Sequence, residues 1–185
     1  MTSKIIFLLI VYLNFSANSF GQIDTSSLFS GQKFYISSKF TETKIEVWIK
    51  LPEDFEKVKG RCDLLVLLDG DEYFKMASDI ITLYEYGEKI VPTIVIGLPS
   101  TVESRWTFYT PTNMKWSDGY HYDSLLQINS GKFSQFADFI EKELIPKILK
   151  FYKTTLKSKT IFGHSLGGLG TMSFYRYRPK SRTGP

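Results

Sequence analysis

Two uninterrupted apolar runs, Leu64-Leu65-Val66-Leu67-Leu68 and Thr93-Ile94-Val95-Ile96, and a shorter third, Thr160-Ile161-Phe162, narrow the folds open to this chain. A strand without polar alternation is covered on both faces, the condition of strands in a parallel sheet flanked by helices. Helical repeats lie between the runs. Phe74, Ala77, Ile80, Ile81 and Tyr84 recur at three- and four-residue intervals before Gly87, a candidate C-terminal cap. Phe133, Ala137, Ile140 and Leu144 do the same after Ser130-Gly131, and Pro146 is expected to kink that helix or open a new turn. Upstream, TKIEVWIKL from Thr43 to Leu51 alternates, with Ile45, Val47, Ile49 and Leu51 on one face. That pattern predicts a half-exposed strand ended by Pro52, with KFYISSKF as its antiparallel hairpin partner. The expected fold is α/β: a mostly parallel sheet flanked by helices, with an N-terminal antiparallel hairpin. Pro99 to Ile128 has no clear period and reads as a long loop, often a functional feature in a compact domain.

With 185 residues, 43% of them hydrophobic, the chain can bury one sizeable core. The first residues stand apart. Lys4 followed by the apolar run Ile5 to Leu13 has the order of a secretory signal, with cleavage expected before Gln22, and the run is too short to span a bilayer. The expected organisation is therefore a signal peptide at 1–21, a partial domain at 22–176 and a basic irregular tail at 177–185. Export places the protein in the periplasm or outside the cell, with no stable membrane span. Cys62 is the only cysteine, which excludes an internal disulfide or a cysteine metal site, and it reads as a small hydrophobe entering a strand. The net charge is +4; removing Lys4 leaves +3, and removing Arg176, Arg178, Lys180 and Arg182 as well leaves −1. The basicity belongs to the tail, so no nucleic-acid partner is expected.

GHSLG, Gly163 to Gly167, matches GxSxG. An apolar run precedes it, and Gly168, Gly170 and a stretch suited to a helix follow, giving the strand, turn and helix setting that raises a serine above a sheet. Side chains at Gly163 or Gly167 would collide with the neighbouring strand and helix. Ser165 is the candidate nucleophile, and the Leu166 N–H is one candidate donor to an acyl oxyanion. The second donor is expected from the turn Asp69-Gly70-Asp71, through the amide of Gly70 or Asp71, with Gly70 letting backbone approach a ligand. The alternative is that LLDGDEYF caps a helix through Asp69 or Asp71. His164 fills a variable position as a structural or pocket-lining residue. A phosphate-binding turn is disfavoured, because neither GxxxxGK[ST] nor GxGxxG spacing is present.

Four segments together resemble the putative esterase family of α/β-hydrolases, which includes enterochelin esterase-like, feruloyl esterase-like and S-formylglutathione hydrolase-like enzymes and mycolyltransferases. They are LLVLLDGDEYF, IVIGLPS with Arg105 and TPT, KFSQFADFIEKELIPKI, and TIFGHSLGGLG. The resemblance runs from about Lys33 to Phe174. It implies an exported carboxylic-ester hydrolase acting on a small-molecule ester through an acyl-enzyme on Ser165, with Leu166 and the DG turn as oxyanion hole and no metal or organic cofactor. Arg105 would lie on an active-site loop, either binding an anionic substrate or bracing the loop through a salt bridge.

One departure is large. Such enzymes place the acid and the histidine after the nucleophile, yet no Asp, Glu or His follows Ser165. The expectation is a truncated or frame-shifted hydrolase, inactive or impaired, whose tail SFYRYRPKSRTGP does not continue as the next helix and whose open sheet edge favours aggregation. A non-catalytic secreted binding protein and an acyltransferase of the same family are the competing readings. His121, between Asp118 and Asp123, is the only histidine outside the elbow and reads as an ordinary loop residue rather than a triad member.

Overall fold

The computed structural model describes residues 31–113 and 129–177. Five strands form one sheet: β1 (Gln32–Ser37), β2 (Lys44–Lys50), β3 (Cys62–Leu68), β4 (Thr93–Leu98) and β5 (Leu156–Phe162), in the spatial order β1-β2-β4-β3-β5. β3 lies at the centre of a parallel trio. Its Leu64 to Leu68 run opposite Ile94 to Leu98 of β4, and its Leu65 to Leu67 opposite Thr160 to Phe162 of β5. The alternating strand β2 pairs antiparallel with both β1 and β4, so the predicted hairpin is present and forms the far edge.

The helices in chain order are α1 (Phe55–Val58), α2 (Gly70–Tyr86), α3 (Val102–Tyr109), α4 (Phe133–Asp138), α5 (Ile145–Tyr152) and α6 (Leu166–Tyr177). Each sheet face has its own cluster. Leu64, Val66, Ile94 and Ile96 pack with Phe136, Phe139, Ile140 and Leu144 on one side. On the other, Leu67 and Val95 pack with Phe74 of α2. Phe74 sits so close to β4 that a Cβ on Gly97 would lie 2.7 Å from its ring, and Trp48 meets that ring edge-on at 5.7 Å. Glu85 ties the other end of α2 to the sheet: it accepts the Thr93 amide at 2.6 Å, and Lys50 Nζ lies 3.9 Å from its second oxygen.

Pro146 opens a new turn, the second of the two expectations. It falls in the first turn of α5, where a missing N–H is tolerated, and the turn before it is a π-helical segment, Phe139–Leu144. That segment buries Glu143, whose carboxylate accepts the Lys39 amide at 3.2 Å.

Four expectations need correction. The supposed loop after Pro99 contains α3, begun by a capping box in which Thr101 and Ser104 bond each other's backbone. β5 starts at Leu156, and among the described residues nothing covers Lys157 to Thr160, which are exposed. The sequence SFYRY continues as the C-terminal half of α6 rather than as irregular tail. Ile80 and Tyr84, read as part of the inward stripe of α2, are exposed. Gly87 does cap α2, at a negative φ of −81°, and the left-handed residue is Glu88. The proposed signal, His121 with its flanking aspartates, and 178–185 lie outside the described residues. No helix among the described residues is long and apolar enough to cross a membrane.

Cys62 opens β3 fully buried, its Sγ donating to the Val58 carbonyl at 3.4 Å, and burial pushes the thiol pKa up. An aromatic disulfide reagent is expected to leave Cys62 unmodified in the native chain and to titrate it fully after guanidinium unfolding; rapid native reaction would contradict the packing at the start of β3. Phe74→Ala removes the ring that fills the α2 face and is expected to cost about 3–5 kcal/mol in a urea-unfolding measurement.

Candidate active site

β3, β4 and β5 run parallel and deliver their carboxyl ends to one edge of the sheet, where ligands bind in open α/β folds. Two of the three ends share a device. β3 passes through Asp69 at φ +54° directly into α2, and β5 passes through the elbow, with Ser165 at φ +53°, directly into α6. A left-handed residue turns the chain sharply, so each helix starts at the strand end and presents its first-turn amides, which have no intrahelical partner, at the sheet edge.

Ser165 is exposed at this turn, and its carbonyl accepts the Leu169 amide at 3.2 Å, the first bond of α6. Glycine at 163 is required sterically, since a Cβ there would run into the carbonyl of Gly167. At Gly167 the obstacle is different: a Cβ would lie 2.9 Å from Asp69 Oδ2. The elbow therefore rests on the end of β3. Leu166 starts α6 and turns its side chain toward the core, leaving its amide in the first turn.

Asp69 is 1% exposed and holds three segments together. Its Oδ1 accepts the Ser100 hydroxyl at 2.6 Å, and Arg105 Nε lies 3.0 Å from the same oxygen as an ion pair rather than an aligned hydrogen bond. Its amide donates to the Tyr109 hydroxyl at 3.2 Å, and burial, followed by the charge of Asp69, pushes that phenol well above its ordinary pKa. The Asp69 Oδ2 atom is buried against the elbow without a hydrogen-bond partner. Asp69 occupies the N-cap position of α2, but its side chain makes no capping bond there.

Of the residues predicted for the site, Ser165 and Leu166 at the end of β5 and Gly70 and Asp71 at the end of β3 come to the same sheet edge. Gly70 has a packing reason that the sequence did not show. A Cβ there would lie 2.6 Å from the Leu98 amide nitrogen, so the glycine lets α2 approach the end of β4. Asp71 uses a carboxylate oxygen to accept the Ser100 amide at 2.9 Å. Arg105 braces α3 against Asp69, as the salt-bridge alternative expected. His164 is exposed and its ring lies 6.1 Å from that of Tyr73. Among the described residues, Ser165 Oγ has no hydrogen bond to a histidine or carboxylate. Ser100 and Tyr109 were not singled out in the sequence, although Thr101-x-x-Ser104 after Pro99 could have revealed the helix that carries Tyr109 to this edge.

Asp69→Ala deprives Arg105 and Ser100 of their shared acceptor beneath the elbow, and is expected to cost about 3 kcal/mol in urea unfolding. In a double-mutant cycle Arg105→Ala should add little to it; full additivity would show that the pair is not coupled.

The match to known proteins follows this architecture. Residues 38–181 match the family model described as "Putative esterase". Over 164 residues the chain is 27% identical to the apo-salmochelin esterase of Escherichia coli O6:H1, covering 86% of this chain and 46% of that protein. Over 129 residues it is 27% identical to the ferri-bacillibactin esterase BesA of Bacillus subtilis, covering 63% and 43%. Among solved structures, an IroE-like serine hydrolase from Shewanella oneidensis superposes with TM-score 0.70 at 28% identity, covering 80% of this chain and 47% of that one. The chain spans about half the length of the relatives it matches. A five-stranded mixed sheet with helices on both faces, a left-handed serine between its last strand and helix, and a family match over residues 38–181 place this chain in the putative esterase family of α/β-hydrolases.

Proposed function

We propose that the chain carries the nucleophile and oxyanion donors of a carboxylic-ester hydrolase, with Ser165 attacking the ester carbonyl. The observation that carries this reading is the exposed Ser165 at φ +53° between a parallel strand and a helix N-terminus. In the reaction, Ser165 Oγ bonds to the carbonyl carbon as its proton leaves to a base. The oxyanion is met by the Leu166 amide and by Gly70 or Asp71. Collapse expels the alcohol, which takes up a proton, and water then releases the acid from Ser165. The substrate class favoured by the named relatives is a siderophore ester, since they are esterases of apo-salmochelin and ferri-bacillibactin. Arg105 would meet an anionic substrate group with the part of its guanidinium not engaged by Asp69. An export signal at 1–21 would put this chemistry outside the cytoplasm.

The base is the weak component. No His, Asp or Glu follows Ser165, and the His164 ring is turned to Tyr73. A base for the Ser165 proton is not found among the described residues, and without one acylation would be slower by about 10⁴–10⁶ than with a complete triad.

A fluorophosphonate probe with peptide mapping tests the reading. Labelling confined to Ser165, abolished in Ser165→Ala and accelerated about tenfold or more by added imidazole acting as an external base, is the expected result. Labelling elsewhere, or none with and without imidazole in a folded protein, would favour a binding protein that keeps the pocket without the chemistry.

A further inference from the structure

An oxyanion is stabilised by donors whose places are fixed before it forms, and a displacement on the order of 1 Å can cost about a hundredfold in rate. The turn at 69–71 has little capping support of its own. Asp69 stands at the N-cap of α2 with φ +54°, and its side chain makes no capping bond there. Its carbonyl accepts the amides of Glu72 at 3.0 Å and Tyr73 at 3.1 Å, so those two donors are already engaged. The amides of Gly70 and Asp71 are the first-turn donors that this carbonyl does not take.

The support comes from a neighbouring segment. Ser100, just past the end of β4, donates its hydroxyl to Asp69 Oδ1 at 2.6 Å and its amide to Asp71 Oδ1 at 2.9 Å. One residue thereby grips the positions on both sides of Gly70. The missing side chain of Gly70 makes the grip possible, because a Cβ there would meet the Leu98 amide nitrogen at 2.6 Å and push the two segments apart. Ser100 is itself held from both directions. β4 pairs with β3 up to Leu98, and Thr101 caps α3 reciprocally with Ser104. From the same helix, Arg105 reaches the Asp69 oxygen that the Ser100 hydroxyl uses.

We propose, resting on the esterase reading above, that Ser100 is a positioning residue that sets the amides of the 69–71 turn for the oxyanion. Two roles of Asp71 have opposite signs. Negative charge beside a developing oxyanion opposes it, so a carboxylate that did nothing else would make Asp71→Ala faster. A carboxylate through which Ser100 aligns the turn makes Asp71→Ala slower. Ser100→Ala removes only the hydroxyl bond to Asp69 and should slow the reaction in the same way, while Ser100→Thr keeps that donor.

Fluorophosphonate labelling of Ser165 in the whole chain with added imidazole, followed against probe concentration, separates the maximal rate from the half-saturating concentration. Ser100→Ala and Asp71→Ala are each expected to lower the maximal rate about tenfold or more, with the half-saturating concentration and the circular dichroism spectrum unchanged. Ser100→Thr should restore most of the loss. Thr154→Val removes a buried hydroxyl that accepts the Gly60 amide at the amino edge of the sheet, and should lower stability without lowering the maximal rate. An unlabelled Ser165 in the folded parent would overturn the esterase reading and this role with it. Labelling of the parent at a rate indifferent to Ser100→Ala, raised by Asp71→Ala, or lowered as much by Thr154→Val would overturn the role of Ser100 alone.

Discussion

The carboxylate of Asp69 is where the sheet, two helices and the nucleophile turn meet. A buried carboxylate costs several kcal/mol unless partners replace its water, and here the Ser100 hydroxyl and the Arg105 guanidinium share one oxygen while the other lies against Gly167. The end of β3, the turn after β4, α3 and the first turn of α6 are thereby fixed relative to one another. Any larger residue at 167 would push the elbow off this support. The position of Ser165 is therefore set from below by an ion pair as well as locally by glycine.

The paired left-handed residues at the ends of β3 and β5 give the same lesson in backbone terms. A non-glycine residue in that region costs on the order of 1 kcal/mol or more and persists only where its surroundings hold it. Asp69 is held through both its side chain and its amide, and Ser165 between a strand and the first bond of a helix. In return, two helix N-termini open side by side on the carboxyl edge of a parallel sheet. That is the electrostatic setting a developing oxyanion needs, and it exists before any substrate arrives.

Most of the scaffold was legible because burial on two faces writes an unmistakable text: β3 from Leu64 and β4 from Ile94 are apolar, and β2 alternates. β5 was only partly legible, because Lys157, Ser158 and Lys159 interrupt its apolar pattern, and only its last three residues carried the signal. The helix α3 hid because four of its eight residues are Glu, Ser, Arg and Thr, and its start is a capping box rather than an apolar repeat. Gly70 was recognised as necessary but for a ligand, whereas sequence gives no sign that β4 would pass beneath it. The role of Asp69 was out of reach for a similar reason: its partners Ser100, Arg105 and Tyr109 lie 31 to 40 residues away, joined only by the crossover through α2 and β4. Ser165 was legible because strand, glycine, serine, glycine and helix are contiguous.

The central claim is that this serine is held in a left-handed turn by the folded scaffold, before and without substrate. Backbone chemical shifts and scalar couplings of Ser165 in the isotope-labelled native chain measure that directly. The account predicts a positive φ close to +53° at Ser165, persisting up to the global unfolding transition. An extended or right-handed helical φ at Ser165 in the folded protein, or averaging between them, would contradict it.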